Sequence, residues 1–273
     1  MNLISYVLFG SKAVYWRAIP FNIMANSVFY PGFRIRLYAA DDARSMPIYP
    51  FLESAARDHL IELVPIRGPY MGTTPSVWRM MPLWDPEVDI LLTRDLDSVP
   101  RTDEVRADRV FMASEFCIHG IRANPQHDVL LMGGLSGFNR PRLIRRMGIL
   151  SYESYASANR RFLKGEKGCD QELLAIHFSQ MANAILETRI NDTAPIQSGP
   201  ATLPKEKYSN VDLADVPQPV QDLCDRLTPF PGAYYHLADE DLKEMLQENT
   251  PVGERVLRCL MDTGVGRYYG VQG

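Results

Sequence analysis

Short apolar runs alternate with segments of helical spacing through the first half of the chain. The apolar runs, which we predict to be strands, cover residues 3–9, 34–39, 61–66, 88–93 and 110–114. The segments between them, which we predict to be helices, cover residues 20–30, 48–58, 76–83 and 102–108. This alternation is typical of an α/β fold, in which helices cover both faces of a mostly parallel sheet. We therefore predict a Rossmann-type, mostly parallel sheet flanked by helices.

The second half of the chain has fewer strand signals. A strand or tight hairpin is predicted at residues 130–132 and 136–139, on either side of Gly133-Gly134. The remaining predicted elements are helices at 141–159, 170–182, 239–247 and 252–261, and an irregular segment at 191–219 that is rich in proline and polar residues. We expect a single domain over residues 1–273, in which about residues 1–115 and about 116–273 are fused into one unit.

Composition and net charge indicate a globular protein and limit the kinds of molecule that it could bind. The chain has 273 residues, 46% hydrophobic and 23% charged, which is enough to bury a core without disulfides or zinc. Its net charge of −4 excludes a bulk polycation that wraps nucleic acid. The apolar stretches are shorter than the ~20 residues needed to span a bilayer.

The amino-terminal residues and the cysteines bear on the compartment. The first ten residues carry no basic region and no cleavage site, so they resemble a first strand rather than a signal peptide. The four cysteines form no CxxC pair, which disfavours a structural zinc site or a redox dithiol. We expect a cytoplasmic protein with reduced thiols, no nucleic-acid partner and no transmembrane segment. Peripheral contact with a membrane stays open.

The most informative segment ends a predicted strand with two acidic residues, Asp95 and Asp97. In open α/β sheets, ligands bind beyond the carboxyl ends of the strands. Two neighbouring carboxylates repel each other there unless a divalent cation compensates their charge, and hard oxygen ligands suit Mg²⁺ or Mn²⁺. Such an ion can carry the diphosphate of a nucleotide. The alternative is that both residues are solvated loop residues.

In its context this segment resembles metal-dependent, GT-A-type glycosyltransferases. The sequence Arg94-Asp95-Leu96-Asp97-Ser98 resembles the Arg-Asp-x-Asp-Ser marker of one branch of that family. Four other stretches resemble motifs of the same branch in the same order, at residues 30–38, 78–80, 127–137 and 169–174. The resemblance covers about residues 3–178, and the last third of the chain carries little that matches.

The resemblance implies an enzyme that moves a sugar from a UDP- or GDP-sugar donor to a hydroxyl of a glycan or another acceptor. It implies Mn²⁺ or Mg²⁺ as cofactor, a nucleotide-binding half over about residues 1–115, and an acceptor and catalytic half over about 116–273. Asp97 would ligate the metal, and Asp95 would contact the metal or the ribose. Arg94 would hold Asp95 in place or pair with phosphate. His236 is the candidate for a further metal ligand, with a solvated or packed histidine as the alternative.

Groups after the first two strands are candidates for contacts with the base and ribose. They are Phe9, Gly10 and Lys12 after the first strand, and Asp41 with Asp42 after the second. A glycine there lets the backbone approach a nucleotide. The alternative for each of these residues is ordinary turn chemistry.

Further candidates lie close to the diphosphate and the sugar. Arg79 has the fork geometry for a phosphate, or it is a helix-surface arginine. The backbone at Gly133 and Gly134 can approach a sugar or diphosphate, or it forms a glycine-rich hairpin. His127 is as readily explained by packing as by function.

Asp170 and Gln171 open a predicted helix and are the candidate catalytic residues. A carboxylate and an amide that both face the donor sugar resemble the retaining members of the family, so we expect retention. The alternative is a helix cap, since an aspartate near a helix N-terminus stabilises the helix by about 0.5–2 kcal/mol.

Two other functions fit part of the sequence. In a haloacid-dehalogenase-type phosphatase, Asp95 would be the nucleophile and Asp97 the general acid. Arg94 before the acidic pair, and the three strands predicted ahead of it, disfavour that interpretation. The other alternative is a non-catalytic module that binds a sugar nucleotide or a glycan. We also expect the irregular segment 191–219 to order over a bound donor, as lids do.

Overall fold

The computed structural model of the chain describes residues 1–67, 75–147, 169–192, 194, 198–233, 237–248 and 250–271. Its strands are β1 Asn2–Leu8, β2 Phe33–Ala40, β3 Glu62–Ile66, β4 Ile90–Arg94, β5 Ile118–Arg122, β6 Leu135–Asn139, β7 Ile185–Arg189 and β8 Ala201–Leu203. These strands form one sheet in the order β3-β2-β1-β4-β6-β5-β7-β8. Every neighbouring pair is parallel except the two that contain β6, which runs antiparallel to both β4 and β5. The predicted mostly parallel α/β sheet is confirmed.

Helices connect the strands and cover both faces of the sheet. They are α1 Ala13–Arg17, α2 Ile19–Phe29, α3 Tyr49–Arg57, α4 Thr102–Ala113, α5 Arg140–Met147, α6 Cys169–Phe178, α7 Lys205–Tyr208, α8 Gln218–Leu227, α9 Asp239–Gln247 and α10 Pro251–Asp262. Short 3₁₀ helices lie at Asp41–Ser45, Pro75–Trp84, Ser179–Ala184 and Val265–Tyr269. No helix in the described ranges combines the length and the apolar composition that crossing a membrane requires.

Local sequence signals explain the helix ends that were predicted well. A proline at the first or second position opens α2, α3 and α10, where its missing N–H costs nothing and its fixed φ suits the helix. The hydroxyl of Thr250 caps α10 by accepting from the Gly253 N–H at 2.9 Å. Helix α9 has the predicted bounds, and its first turn is acidic.

The predicted strand at 110–114 is wrong, because α4 continues through it to Ala113. The buried positions of α4 include Ala107, Asp108 and Phe111, which keep helical spacing past the predicted end at residue 108. Phe111 and Ala107 pack against Leu186 of β7 and Leu203 of β8. Tertiary packing therefore overrides the strand preference of the apolar run.

The segment 191–219 is more ordered than predicted over its described residues. Strand β8 pairs with β7, and α7 follows it directly. Leu213 and Val216 are buried beyond α7. These short elements fix part of the segment, and its other described residues before α8 are irregular, as predicted. Residues 193 and 195–197 lie outside the described residues, as do residues 148–159 of the helix predicted at 141–159.

The core lies on both faces of the sheet. On one face, side chains of β1 and β2 such as Ile4 and Leu37 pack under α2, α3, α8, α9 and α10. On the other face, Leu3 and Leu91 pack with residues of α5 and α6. Strand β4 is buried along its whole length, as expected of a central strand covered by helices on both sides.

The strand order creates a crevice between β1 and β4. From β1 the chain continues to β2 and β3 on one side, and then returns to β4 on the other side of β1. Helices that follow strands on either side therefore diverge at this point, which is where open α/β sheets bind ligands. The ends of β1 and β4 position the candidate site.

Candidate active site at the carboxyl edge of the sheet

Tight hydrogen bonding shapes the turn that carries the acidic pair after β4. The buried Leu96 side chain joins the core, and its carbonyl accepts from the Asn22 amide at 3.0 Å. The Ser98 hydroxyl donates to the Asp95 carbonyl at 3.2 Å. These contacts hold the backbone at the sheet edge, where the Asp95 side chain is 41% exposed and Asp97 is half-buried.

Arg79 links the acidic pair to the start of α6. It belongs to the 3₁₀ helix Pro75–Trp84 and is only 5% exposed. One terminal nitrogen donates to the Asp95 carboxylate, and the other lies 3.6 Å from Asp170 Oδ2. Although burial lowers it, Asp95 and Asp170 raise the pKa of Arg79 overall, with a smaller contribution from Asp97. The buried guanidinium therefore stays charged between two carboxylates from different parts of the chain.

The Gly133-Gly134 backbone lies against the same two carboxylates. A β-carbon on Gly134 would collide with the Asp95 carboxylate, and one on Gly133 would collide with that of Asp170. The register explains the first contact, because Arg94 pairs with Leu135, so the next residues along the two strands, Asp95 and Gly134, face each other. Glycine is required here for close approach of the backbone.

Asp170 is a buried acid at a helix N-terminus. It is 7% exposed in the first turn of α6, and Gln171 beside it is half-buried. Burial raises the pKa of Asp170, while Arg79 and the amides at the helix start lower it in part. Asp170 therefore interacts both with the backbone amides at the helix start and with Arg79.

Arg94 does not hold Asp95 in this structure, in contrast to the prediction. Its Nε lies 2.5 Å from Glu104 Oε1, and another nitrogen pairs with Asp108, with all three residues buried. Arg79 instead provides the arginine contact to Asp95. Sequence order was misleading here because alternate residues of β4 point to opposite faces of the sheet.

A buried chain of hydrogen bonds extends from Asp108. Asp108 Oδ1 lies 3.0 Å from His119 Nδ1, and His119 Nε2 lies 2.9 Å from the Thr188 hydroxyl. This arrangement resembles a nucleophile–histidine–acid triad. All three residues have no exposed surface, so a substrate cannot reach Thr188 and the chain of bonds is part of the core.

The turn after β1 lies on the other side of the crevice. Gly10 has a positive φ of 70°, and its N–H donates to Asp42 Oδ2 at 2.9 Å. Phe9 is 36% exposed, and Lys12 is exposed just before α1. Asp42 therefore braces the turn by its contact with Gly10.

Asp41 and His127 have local partners. Asp41 lies 3.4 Å from Arg44 within a surface 3₁₀ helix. The Nδ1 atom of His127 accepts from the Ala123 N–H at 3.1 Å, and its ring meets Phe230 edge-on. Burial and the charge of Arg122 lower the pKa of His127. Packing and a hydrogen bond explain this histidine.

The chemistry of the carboxylates decides whether the residues fit a metal ion. Within the described residues, no group of three or more histidine, cysteine, aspartate or glutamate side chains could hold a metal alone. Mg²⁺ and similar ions are commonly bound by one or two carboxylates, with phosphate oxygens and water completing the shell. Asp95 and Asp97 at an open edge fit that kind of site.

His236, the predicted third ligand, lies outside the described residues. Gly232, four residues earlier in the sequence, packs so tightly that a β-carbon would collide with the Leu135 side chain. Leu135 directly follows Gly134 at the start of β6. The chain therefore passes the candidate site shortly before His236.

Sequence reasoning missed several buried charged residues near this edge. They are Glu104, Asp108, His119, Arg122 and Glu187. His119 and Arg122 interrupt an otherwise apolar run that is now seen as β5. A charged residue within such a run is the signal that could have identified them, because buried charges are retained only with partners.

Comparison with known proteins gave similarities among solved structures alone. No protein-family model matches the chain, and no curated protein matches it. The glycosyltransferase GlyE of Streptococcus pneumoniae TIGR4 is 15% identical with a TM-score of 0.41, and the match covers 74% of this chain and 45% of GlyE. The mannosyltransferase PcManGT of Pyrobaculum calidifontis, in complex with GDP-Man and Mn²⁺, is 14% identical with a TM-score of 0.43, covering 98% of this chain and 79% of PcManGT.

A third similar structure is the 4-diphosphocytidyl-2C-methyl-D-erythritol synthase of Anaerococcus prevotii DSM 20548. It is 10% identical with a TM-score of 0.41, and the match covers 72% of this chain and 93% of the synthase. All three TM-scores are below 0.5, so the argument for function rests on the residues of this chain.

Proposed function

We propose that this chain is a glycosyltransferase that moves a sugar from a nucleoside-diphosphate sugar, such as a UDP- or GDP-sugar, to an acceptor hydroxyl with a divalent cation. One observation carries the proposal. Arg79 joins Asp95 to Asp170 beside the Gly133-Gly134 backbone, at the crevice where the strand order reverses. The two carboxylates, the buried Arg79 guanidinium between them and the glycine backbone packed against them suit a donor in which the diphosphate is next to the sugar.

The acidic pair supports the part of the proposal that concerns the diphosphate. Asp97 and Asp95 would hold Mn²⁺ or Mg²⁺ together with phosphate oxygens, and His236 is our candidate for a further ligand. When bound, the ion neutralises the charge of the departing diphosphate. The Arg79 guanidinium, which pairs with Asp95, keeps that carboxylate in place. The turn after β1, with Phe9, supports the base and ribose of the nucleotide.

Asp170 and Gln171 support the part that concerns the sugar. Breakage of the bond between sugar and phosphate leaves positive charge on the sugar ring, and an ionised Asp170 stabilises that charge. Arg79 and the amides of the helix start favour this ionised form, although burial opposes them and the pKa of Asp170 is raised overall. The carboxylate and amide at this helix start resemble those of the retaining members of the family, so we propose retention of configuration.

Calorimetry with nucleotides and Mn²⁺ tests the proposal. UDP or GDP should bind at least about 10-fold more tightly with Mn²⁺ than with EDTA, because the ion bridges carboxylate and diphosphate. The Asp97→Ala variant should lose that difference. Asp89→Ala is the matched control, since Asp89 is 62% exposed and pairs with the amino terminus at the other end of β4.

The outcomes separate the proposed function from its alternatives. Equal affinity with and without metal for every nucleotide diphosphate tested would refute metal-coupled binding. Binding without sugar transfer or donor hydrolysis indicates a non-catalytic module. Release of phosphate from phosphomonoesters that depends on Asp95 indicates a phosphatase.

A further inference from the structure

Arg122, the last residue of β5, is a buried cation that the proposed reaction does not use directly. It is among the largest fully buried side chains of the described residues. Its Nε lies 2.6 Å from Oε2 of Glu187 on β7, and both side chains are 2% exposed. The pair joins two neighbouring parallel strands, from the middle of β7 to the carboxyl end of β5, and that end of β5 lies at the same edge of the sheet as the candidate site.

The two terminal nitrogens of Arg122 bind the loop that follows β5. One donates to the carbonyl of His127, and the other donates to that of Leu130 at 3.0 Å. Within the loop, the N–H of Ala123 donates a hydrogen bond to the ring of His127. One guanidinium therefore fixes the course of residues 123–130 at two points.

This loop leads directly to the glycine pair of the site. Leu131 is fully buried and contacts Gly120 of β5, and Gly133-Gly134 follow before β6 begins. We propose that Arg122, held by Glu187, is a positioning residue that keeps the Gly133-Gly134 backbone against Asp95 and Asp170. This inference rests on the proposed function for its catalytic consequence, and on the loop geometry alone for its structural part.

Stability alone is a poor explanation for this pair. Two charges lose their hydration on burial, and well-packed apolar residues often stabilise a core as well or better. The second carboxylate oxygen of Glu187 is buried and has no hydrogen-bond partner among the described residues. What apolar residues cannot provide is a planar fork that donates to two carbonyls at defined angles.

Hydrogen exchange, measured by mass spectrometry, tests the structural part without any substrate. The double variant Arg122→Met/Glu187→Leu removes both charges and leaves neither unpaired. We expect amides of residues 123–134 to exchange at least about 10-fold faster than in the wild type, while protection of β1 and β4 is unchanged. The Arg122→Lys variant keeps the charge but has a single nitrogen, so it should show the same local loss.

A control with similar bonding joins α10 to the residue after α3. Arg255 donates to the carboxylate of Asp58 at 2.8 Å and to its carbonyl. The Arg255→Met/Asp58→Leu variant should leave exchange in residues 123–134 unchanged. Wild-type exchange there in both Arg122 variants would overturn the proposal, and if the double variant does not fold, Arg122→Lys decides alone.

Steady-state kinetics tests the catalytic consequence. A small misplacement of a positioned group costs about 10²-fold, so we expect kcat of the Arg122 variants to fall by about that factor while KM for the donor changes less. Faster loop exchange with unchanged kcat would overturn the positioning role. If the wild type turns over no donor, the proposed function fails, and the exchange result still shows whether Arg122 fixes the loop.

Discussion

At the scale of single residues, Arg79 connects two acids that are 75 positions apart in the chain. Its guanidinium lies between Asp95 and Asp170, and the turn that it stabilises could not have been inferred from the sequence around any one of them. The 3₁₀ helix that carries Arg79 was predicted as a helix, but its inward-facing arginine had a surface position as its alternative. Its ion pairs with Asp95 and Asp170, which come from other parts of the chain, account for the buried position of Arg79.

The buried carboxyl of Asp170 leads to a prediction about how the stability of the protein depends on pH. Burial raises its pKa, so between the unfolded pKa of about 3.9 and the raised folded value, the folded chain keeps a proton that the unfolded chain has lost. The free energy of unfolding therefore falls as pH rises through that window. The Asp170→Asn variant avoids this loss, so we expect its Tm to rise relative to that of the wild type as pH increases through that window, measured by thermal unfolding at several pH values.

The same variant should lose activity while it gains stability. If Asp170 stabilises charge on the sugar, turnover should fall by about 10²-fold or more and nucleotide affinity should stay near the wild-type value. Asp262→Asn, at an exposed position at the end of α10, is the control and should change neither quantity. Full turnover in Asp170→Asn would leave the residue as a helix cap only.

At the scale of elements, α4 is attached to β4 by charges inside the core. Arg94 faces two carboxylates of α4, Glu104 and Asp108, and one guanidinium cannot neutralise both. Burial raises the pKa of Glu104 to about 7. Although burial raises it as well, Arg94 and His119 hold the pKa of Asp108 below its usual range. Asp108 is therefore the charged partner, and Glu104 holds a proton below neutral pH.

This asymmetry predicts different results for two neighbouring substitutions. Glu104 has an unfolded value of 4.5 and a folded value of about 7, so the wild type should lose up to about 3 kcal/mol relative to Glu104→Gln as pH rises from 4.5 to 7. Above that pH the difference should stay constant. Asp108→Asn should cost about 3–5 kcal/mol at neutral pH, because it leaves Arg94 with too little negative charge.

Denaturant unfolding at several pH values provides the measurement for both variants. Parallel pH profiles for the wild type and Glu104→Gln would show that folding does not raise the pKa of Glu104, contrary to the prediction. A mild effect of Asp108→Asn would show that Glu104 carries the negative charge.

The sequence predicted some elements well for identifiable reasons. Prolines mark the starts of α2, α3 and α10, and continuous apolar runs mark β1 and β4. Strand β5 was missed because His119 and Arg122 break its apolar pattern. Local patterns record what each segment prefers by itself, whereas the partners of these two polar side chains, Asp108 and Glu187, come from elsewhere in the chain.

In the candidate site, too, the sequence indicated local features but not partners from elsewhere in the chain. The acidic pair was recognised because it follows a strand, and strand ends meet at one edge of a sheet. The partner of Asp95 was assigned to its neighbour Arg94 and not to Arg79, because the sequence shows adjacency in the chain and not the direction of a side chain.

At the scale of the whole molecule, one sheet contains strands from both halves of the chain. Strand β4 is central, between β1 and β6. A fragment of residues 1–115 would lack β6 and leave β4 as an edge strand that is apolar on both faces. Exposed apolar edges favour association with other chains.

We therefore expect that fragment to aggregate or to unfold without cooperativity. Circular dichroism during thermal unfolding, together with sedimentation, provides the measurement, and the full chain under the same conditions is the reference. A monomeric fragment with a cooperative transition would show that the first half is an independent domain.

The reversed direction of β6 has a consequence for how such a site changes during evolution. Because β6 runs against its neighbours, the connection from β5 begins and ends at the same edge of the sheet, and it reaches the site from the start of a strand. The exposed residues of this connection, Pro125, Gln126 and Asp128, can vary in sequence while the bonds of Arg122 and the Gly133-Gly134 backbone stay fixed. New substrate preferences can therefore arise by substitution at these positions, which are also natural points for changes in protein engineering.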